Sequence, residues 1–338
     1  MGNSLFEYLR IKVHPVILSQ DWSRISVIGK HERQGTSCVS PIEKEDKPFN
    51  WQRPTTVLKD GDAVYLQCFP GHDYVQHYAA IVATQLALQG KSPEVVQYCL
   101  PNSIECMQPL LESNLVEMGP VDIVVMGYVQ GLERFTSSHW EGGGKDTLFG
   151  WQKLPLPHGG AVAFLGCRVS FWGDIAGNVL RALVDTNSVK CVLYVGKLGS
   201  LRPEHSPNEW LASGTNSLVL GEPITWTNVL KPFLQKSSKV VEGDHVTMPS
   251  VLDETRNWLS EHREKYDFVD PEIGHMAKAS LERGIHFGYL HIISDNVARK
   301  YDHDLSNERL GGVISDRKGL LGDIQDILEQ FFAQWVEL

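Results

Sequence analysis

From about residue 120 onward, short apolar runs alternate with segments of helical period, and this alternation constrains the fold more than any other feature. VDIVVMG (121–127), AVAFLGCRV (161–169), CVLYVG (191–196), YDFVD (266–270) and YLHIIS (289–294) read as strands. GDIAGNVLRALVDT (173–186), VLDETRNWLSEHREKY (251–266), PEIGHMAKASLERG (271–284) and GLLGDIQDILEQFFAQWVEL (319–338) carry apolar residues at helical spacing. NSLVL and KVVEGDHV are shorter strand candidates. Strands alternating with helices bury both faces of a sheet, so the expected fold class is α/β, a mainly parallel or mixed sheet flanked by helices. Upstream, AVYLQCF (63–69) and VVQYCL (95–100) read as strands, HDYVQHYAAIVATQLALQG as a helix ending at Gly90, and IECMQPLLESNL as helical. Residues 1–60 read as irregular, without clear elements.

A chain of 338 residues with 42% hydrophobic and 21% charged residues suits one large globular domain or two ordinary ones. The net charge of −10 and the lack of a basic run argue against a nucleic-acid or anionic-membrane partner, both of which need concentrated positive charge. No apolar run approaches bilayer length, and the start MGNSLFEYLRIKVHPVIL lacks a signal-peptide core, so a cytoplasmic protein is expected. The six cysteines form no CxxC pair, and Cys99, Cys167 and Cys191 lie in apolar contexts. They are expected to be buried free thiols.

Open α/β sheets bind ligands beyond the carboxyl ends of their strands. That directs attention to the segments after the strands: MGYVQG, FWGDIAG, VGKLGS, VDPE and SDN. In YVGKLGSL (194–201) the glycines read as a turn, and Lys197 in such a turn either points at water or holds something.

Three of these segments fall in a telling order. FLGCRVSFWGDIAGNVLRALVDTNSVKCVLYVGKLGSL, then FVDPEIGHMAKAS, then LHIISDN, resembles the purine nucleoside phosphorylase and nucleosidase superfamily over roughly 120–300. MGYVQGLERF (126–135) loosely resembles the family's first phosphate loop. The resemblance implies a nucleoside phosphorylase-like domain over 119–338, preceded by an N-terminal α/β region over 1–118 of unknown role. It also implies cleavage of an N-glycosidic bond, a nucleoside-like substrate and a homo-oligomer; no cofactor or metal is expected.

Carried over residue by residue, Asp295 of SDN matches the family's catalytic acid, which protonates the leaving base if burial keeps it protonated. The competing structural role is a cap on a following NVARKY helix. Glu272 matches the glutamate that accepts from the sugar hydroxyls, against the simpler role of a first-turn acid on a helix dipole. Asp270 accompanies it on the substrate side, and the methionine between the family's two acids is here Pro271. Tyr194 stands where the phosphorylases carry a phosphate-binding arginine, which tilts the expectation from phosphorolysis toward hydrolysis. Lys197 stands at the hydroxyl position of the same motif and replaces the phosphate ligand, reads an acidic group of the substrate, forms a Schiff base, or snorkels to solvent. Ser170, Phe171 and Trp172 occupy the Gly-rich turn, where the aromatics either stack on a base or fill core. From the first loop, Glu133 is a candidate water-activating base and Arg134 a candidate anion ligand.

Two other readings stay open: a biosynthetic enzyme on the same fold using Lys197, and a non-catalytic nucleoside sensor. Gly71-His72-Asp73 with His77 fits no zinc spacing and reads as a helix-start acid with two surface histidines. Asp302-His303-Asp304 reads as solvated loop, and WEGGGKDTLFGW (140–151) as a mobile loop or lid.

Overall fold

The structure is a computed structural model and describes residues 2–31, 49, 54–144, 147–302 and 310–336. The first 100 residues hold α1 (Gly2–Lys12), β1 (Arg24–Gly29), β2 (Thr56–Asp60), β3 (Ala63–Cys68), α2 (His72–Leu88) and β4 (Val96–Cys99). Their four strands form a separate sheet in the order β2-β3-β1-β4, with β1 parallel to both β3 and β4. The expectation of irregular chain before residue 60 is therefore corrected. The β1 run RISVIG buries Ile25 and Val27, but it is too short for periodicity alone to separate it from a loop.

After α3 (Ser103–Leu111), the chain enters a larger mixed sheet. Its elements are β5 (Ile123–Gly127), β6 (Phe149–Pro155), β7 (Ala161–Cys167), α4 (Asp174–Asn187), β8 (Cys191–Ser200), β9 (Leu211–Ser213), β10 (Asn216–Val219) and β11 (Glu222–Thr225). They continue as α5 (Lys231–Leu234), β12 (Val240–Glu242), β13 (His245–Thr247), α6 (Arg256–His262), β14 (Phe268–Asp270), α7 (Ile273–Arg283), β15 (His286–Asn296) and α8 (Gly311–Gln334). At the centre, β8 runs parallel to β5 and β15 and antiparallel to β14. The helices flank the sheet as the strand–helix alternation requires.

The two faces of β8 show why the sheet is covered on both sides. Val192, Tyr194 and Leu198 join the core that includes α4 and α7, while Cys191, Leu193 and Val195 join the core under α8. In α8, Leu320, Ile324, Ile327, Leu328 and Phe331 recur at helical spacing and are buried.

Several expectations change. YVGKLGSL is not a turn: β8 continues through Lys197 to Ser200, paired with β15 throughout. KVVEGDHV divides into β12 and β13, and the helix expected over 251–266 is confined to the seven residues of α6. NVARKY forms no helix, and Asp295 lies inside β15, so the capping role falls away. Of the 140–151 segment, Lys145 and Asp146 lie outside the described residues. The rest is a β connection rather than a lid: Glu141 bridges Trp151, and Asn114 donates to the carbonyls of Gly142 (2.7 Å) and Phe149 (2.9 Å). His303 and Asp304 also lie outside the described residues. Cys99 is exposed on the edge strand β4, contrary to expectation, while Cys68, Cys106, Cys167 and Cys191 are buried. Among the described residues, no helix is long and apolar enough to cross a membrane.

Candidate functional site

Two close approaches to the β8 backbone organise the site. A Cβ at Gly196 would lie 2.6 Å from His291 Nε2. A Cβ at Gly199 would lie 3.1 Å from Asp295 Oδ2, beside Val269 and Val297. The glycines that suggested a turn are instead places where a strand lets neighbouring side chains against its backbone.

Around the first approach stands a buried polar group. The Tyr194 hydroxyl donates to Glu272 Oε2 at 3.3 Å. The Tyr194 ring meets Phe171 edge-on, with centroids 5.5 Å apart, and His291 at 4.4 Å. Burial, then the charges of Glu272 and Asp270, push the Tyr194 hydroxyl well above its ordinary range, so it stays a donor. Gly127, at φ +95°, lets β5 end against this ring, since a Cβ there would meet Val195 O at 2.1 Å.

The start of α7 explains why Glu272 is available. Asp270 Oδ1 accepts from the amides of Glu272 (3.0 Å) and Ile273 (2.9 Å), and Thr247 Oγ1 accepts from that of Gly274 (3.0 Å). Glu272 makes no capping hydrogen bond, and its carboxylate is directed to Tyr194 instead. Behind Asp270, His245 Nε2 lies 3.1 Å from Oδ1, and His245 Nδ1 lies 2.9 Å from Ser217 Oγ. His291 Nε2 is 3.7 Å from Asp270 Oδ2. Burial drives His291 down to about 4 against the opposing pull of Asp270, which makes it a neutral imidazole.

The second group forms where β15 bulges between Ile293 and Asp295. Ser294 Oγ donates to Asp295 Oδ1 at 2.8 Å. Val269 packs here with Leu201, Val246 and Trp258 of α6. The Val269–Glu272 corner joins the two groups: Val269 borders Asp295, Asp270 points to the opposite side, and the chain turns at Pro271 to deliver Glu272 to Tyr194.

The other expected residues divide. Ser170 and Phe171 are fully buried after β7, and Phe171 joins the Tyr194 group. Trp172 lies parallel to His77 at 4.3 Å and donates to Pro249 O at 2.8 Å, so one ring face is already occupied. Lys197 is half-buried within β8, opposite Ile292. Glu133 and Arg134 are exposed and turn to α8, Glu133 to Lys318 at 3.4 Å and Arg134 to Asp326; neither joins the Tyr194 group. Among the described residues no His/Cys/Asp/Glu cluster could hold a metal. His72 is indeed exposed, but His77 is buried between Ser250 Oγ (2.8 Å) and Tyr8 OH (2.9 Å), contrary to the surface reading. Sequence reasoning missed His245, His291 and Thr247, because a lone His or Thr on an apolar strand carries no signal of what it faces.

No family model matches the chain. A curated relative, oxidoreductase cns1 of Cordyceps militaris, is 24% identical over 257 residues, covering 69% of this chain and 32% of that protein. The chain therefore spans about a third of the length of that relative. Among solved structures, it is similar to a putative methylthioadenosine nucleosidase from Weissella paramesenteroides at 14% identity and a TM-score of 0.48, covering 63% of this chain and 97% of that one. A futalosine hydrolase mutant of Helicobacter pylori matches at 12% identity and 0.48, covering 62% and 99%. A uridine phosphorylase from Vibrio fischeri matches at 11% identity and 0.48, covering 64% and 92%. These likenesses are of fold alone.

Proposed function

We propose that this chain cleaves the N-glycosidic bond of a nucleoside or nucleoside-like small molecule, with water rather than phosphate as nucleophile. The observation that carries the reading is Glu272: a buried carboxylate released from helix capping by Asp270 and Thr247 and held by a phenol that stays protonated. A carboxylate so placed accepts from vicinal sugar hydroxyls, and those bonds strengthen as the sugar gains oxocarbenium character. Asp295, at the far side of the same corner, serves as the acid for the leaving base. Phosphorolysis is disfavoured because Tyr194 offers one neutral donor where a guanidinium fork would grip phosphate.

The test is release of free base from a panel of purine and pyrimidine nucleosides, with and without inorganic phosphate. Release independent of phosphate, and lost in Glu272→Gln and Asp295→Asn, is expected. Strict phosphate dependence would replace water by phosphate in the scheme, and no release from any nucleoside would overturn it.

A further inference from the structure

Three neighbouring strands put polar side chains on one face of the sheet. β13 runs parallel to both β10 and β14, with Ser217 opposite His245 and Thr247 opposite Asp270. The period of two along a strand sends His245 and Thr247 to the same face as Ser217 and Asp270, while Val246 and Val269 go to the other face with Trp258. All four polar side chains are buried. The first turn of α7 sits directly on them. A Cβ at Gly274 would lie 2.3 Å from Thr247 Oγ1 and 2.7 Å from Ser217 Oγ, so only glycine allows the approach.

The hydrogen bonds here run in one direction. Gly274 N donates to Thr247 Oγ1 at 3.0 Å, Thr247 Oγ1 lies 3.1 Å from Ser217 Oγ, and Ser217 Oγ lies 2.9 Å from His245 Nδ1. Among the described residues the Thr247 hydroxyl has no other acceptor, so its proton goes to Ser217 and the Ser217 proton to Nδ1. The imidazole proton is then on Nε2, 3.1 Å from Asp270 Oδ1. The reverse order would set a bare Nε2 against a carboxylate oxygen, two acceptors face to face in a buried site. The approach of Nε2 to Oδ1 is bent rather than straight, so the N–H acts on the carboxylate mainly as a dipole.

We infer that His245 is a positioning residue for the reaction proposed above: with its proton on Nε2, it holds the Asp270 carboxylate in the orientation that anchors Glu272. This rests on the reading of Glu272 as the sugar-binding carboxylate. Asp270 Oδ1 accepts from the amides of Glu272 (3.0 Å) and Ile273 (2.9 Å). The oxygen that His245 faces is therefore the one that fixes the root of the Glu272 side chain. Ser217, His245 and Asp270 stand in the order of a nucleophile, base and acid, but burial beneath α7 keeps substrate from the Ser217 hydroxyl and leaves the row a positional task. Thr247 only starts the row; the contact with Asp270 is made by His245.

The first experiment is a long-range proton–nitrogen NMR correlation on the full chain labelled with nitrogen-15 in its histidine rings, with His245 assigned by the signals that vanish in His245→Gln. A proton on Nε2 and a bare Nδ1 are expected; a protonated Nδ1 overturns the assignment. The second experiment compares base release by wild type, His245→Leu and His245→Gln. His245→Leu fills the space without an N–H. Its kcat is expected to fall about 5-fold, the effect of one lost hydrogen bond, with KM changed less, because the bonds from Glu272 to the sugar count most in the transition state. His245→Gln can present an N–H to Asp270 and restores part of kcat. A folded His245→Leu with the wild-type kcat overturns the positioning role, whatever its stability. A proton on Nε2 with no base release from any nucleoside overturns the nucleosidase reading and upholds the hydrogen-bonded row.

Discussion

Tyr194 concentrates the argument at the residue scale. Its hydroxyl has one described hydrogen-bond acceptor, Glu272, and its ring is fixed by Phe171 and His291. In Tyr194→Phe the ring contacts persist and only the donor is lost, so base release is expected to fall roughly 5–10-fold, the equivalent of about 1 kcal/mol for one hydrogen bond. Steady-state kinetics on a nucleoside that the wild type accepts would read this, and an unchanged rate would detach Tyr194 from the chemistry. His291 behaves differently. Its folded value of about 4 lies below the ordinary 6.5, so the unfolded chain binds the proton more tightly. Its contribution is complete above pH 6.5 and is lost as pH falls toward 4. The ceiling on that loss is about 3 kcal/mol. Denaturant midpoints measured from pH 8 to pH 4 are expected to fall less steeply in His291→Gln than in wild type; parallel slopes would mean another group carries the acid sensitivity.

At the scale of elements, the start of α7 shows how local chemistry frees a functional group. Asp270 and Thr247 accept from the first amides, and Glu272 is left to Tyr194. Thr247→Val preserves shape and removes one acceptor. It is expected to lower stability by about 1 kcal/mol, as for other lost caps. Base release should stay near the wild-type level, since Asp270 still accepts the amide of Glu272 itself. Urea unfolding and kinetics on the same preparation would separate the two effects. The strands β5, β7 and β8 and the helices α2, α4 and α7 were legible in the sequence because each carries enough apolar residues at one period to fix its type. The extension of β8 past Gly196 was not, because glycine normally marks a turn. Here Gly196 and Gly199 are required by side chains on β15, nearly a hundred residues away. The order of YVGKLGSL, VDPE and SDN pointed to the corner where Tyr194, Glu272 and Asp295 lie, yet gave no hint of His245 or Thr247, whose surroundings depend on what the fold brings to them. Glu133 and Arg134 show the converse: the chain after β5 turns them to α8.

At the scale of the whole molecule, Asp174 is one of the side chains that join the N-terminal elements to those of the larger sheet. Asp174, at the start of α4, caps the start of α2: its Oδ2 accepts from His72 N at 2.9 Å and its Oδ1 from Asp73 N at 3.2 Å. Asp73 turns back to His275 of α7 at 2.7 Å, and His72 Nε2 reaches Pro101 O at 2.7 Å. The arrangement has a built-in conflict. Two amides and a helix dipole favour a carboxylate, while burial and then the neighbouring Asp73 oppose its charge and leave Asp174 above its ordinary range. A carboxyl raised in the folded state contributes stability that is present below the unfolded value and lost as pH rises through the folded one. Near neutrality the charge is therefore a burden while the oxygens remain useful. Asp174→Ala removes both oxygens and is expected to cost about 1–2 kcal/mol, the range for a lost N-cap. That corresponds to a fall of about 1–3 °C in the unfolding midpoint for a chain of 338 residues. Asp174→Asn keeps one acceptor and sheds the charge, so at pH 7 its midpoint should lie between wild type and Asp174→Ala or above both. Scanning calorimetry of the three proteins at pH 7 decides it. An Asn variant as unstable as the Ala variant would mean that one neutral accepting oxygen does not suffice to hold α2 against α4.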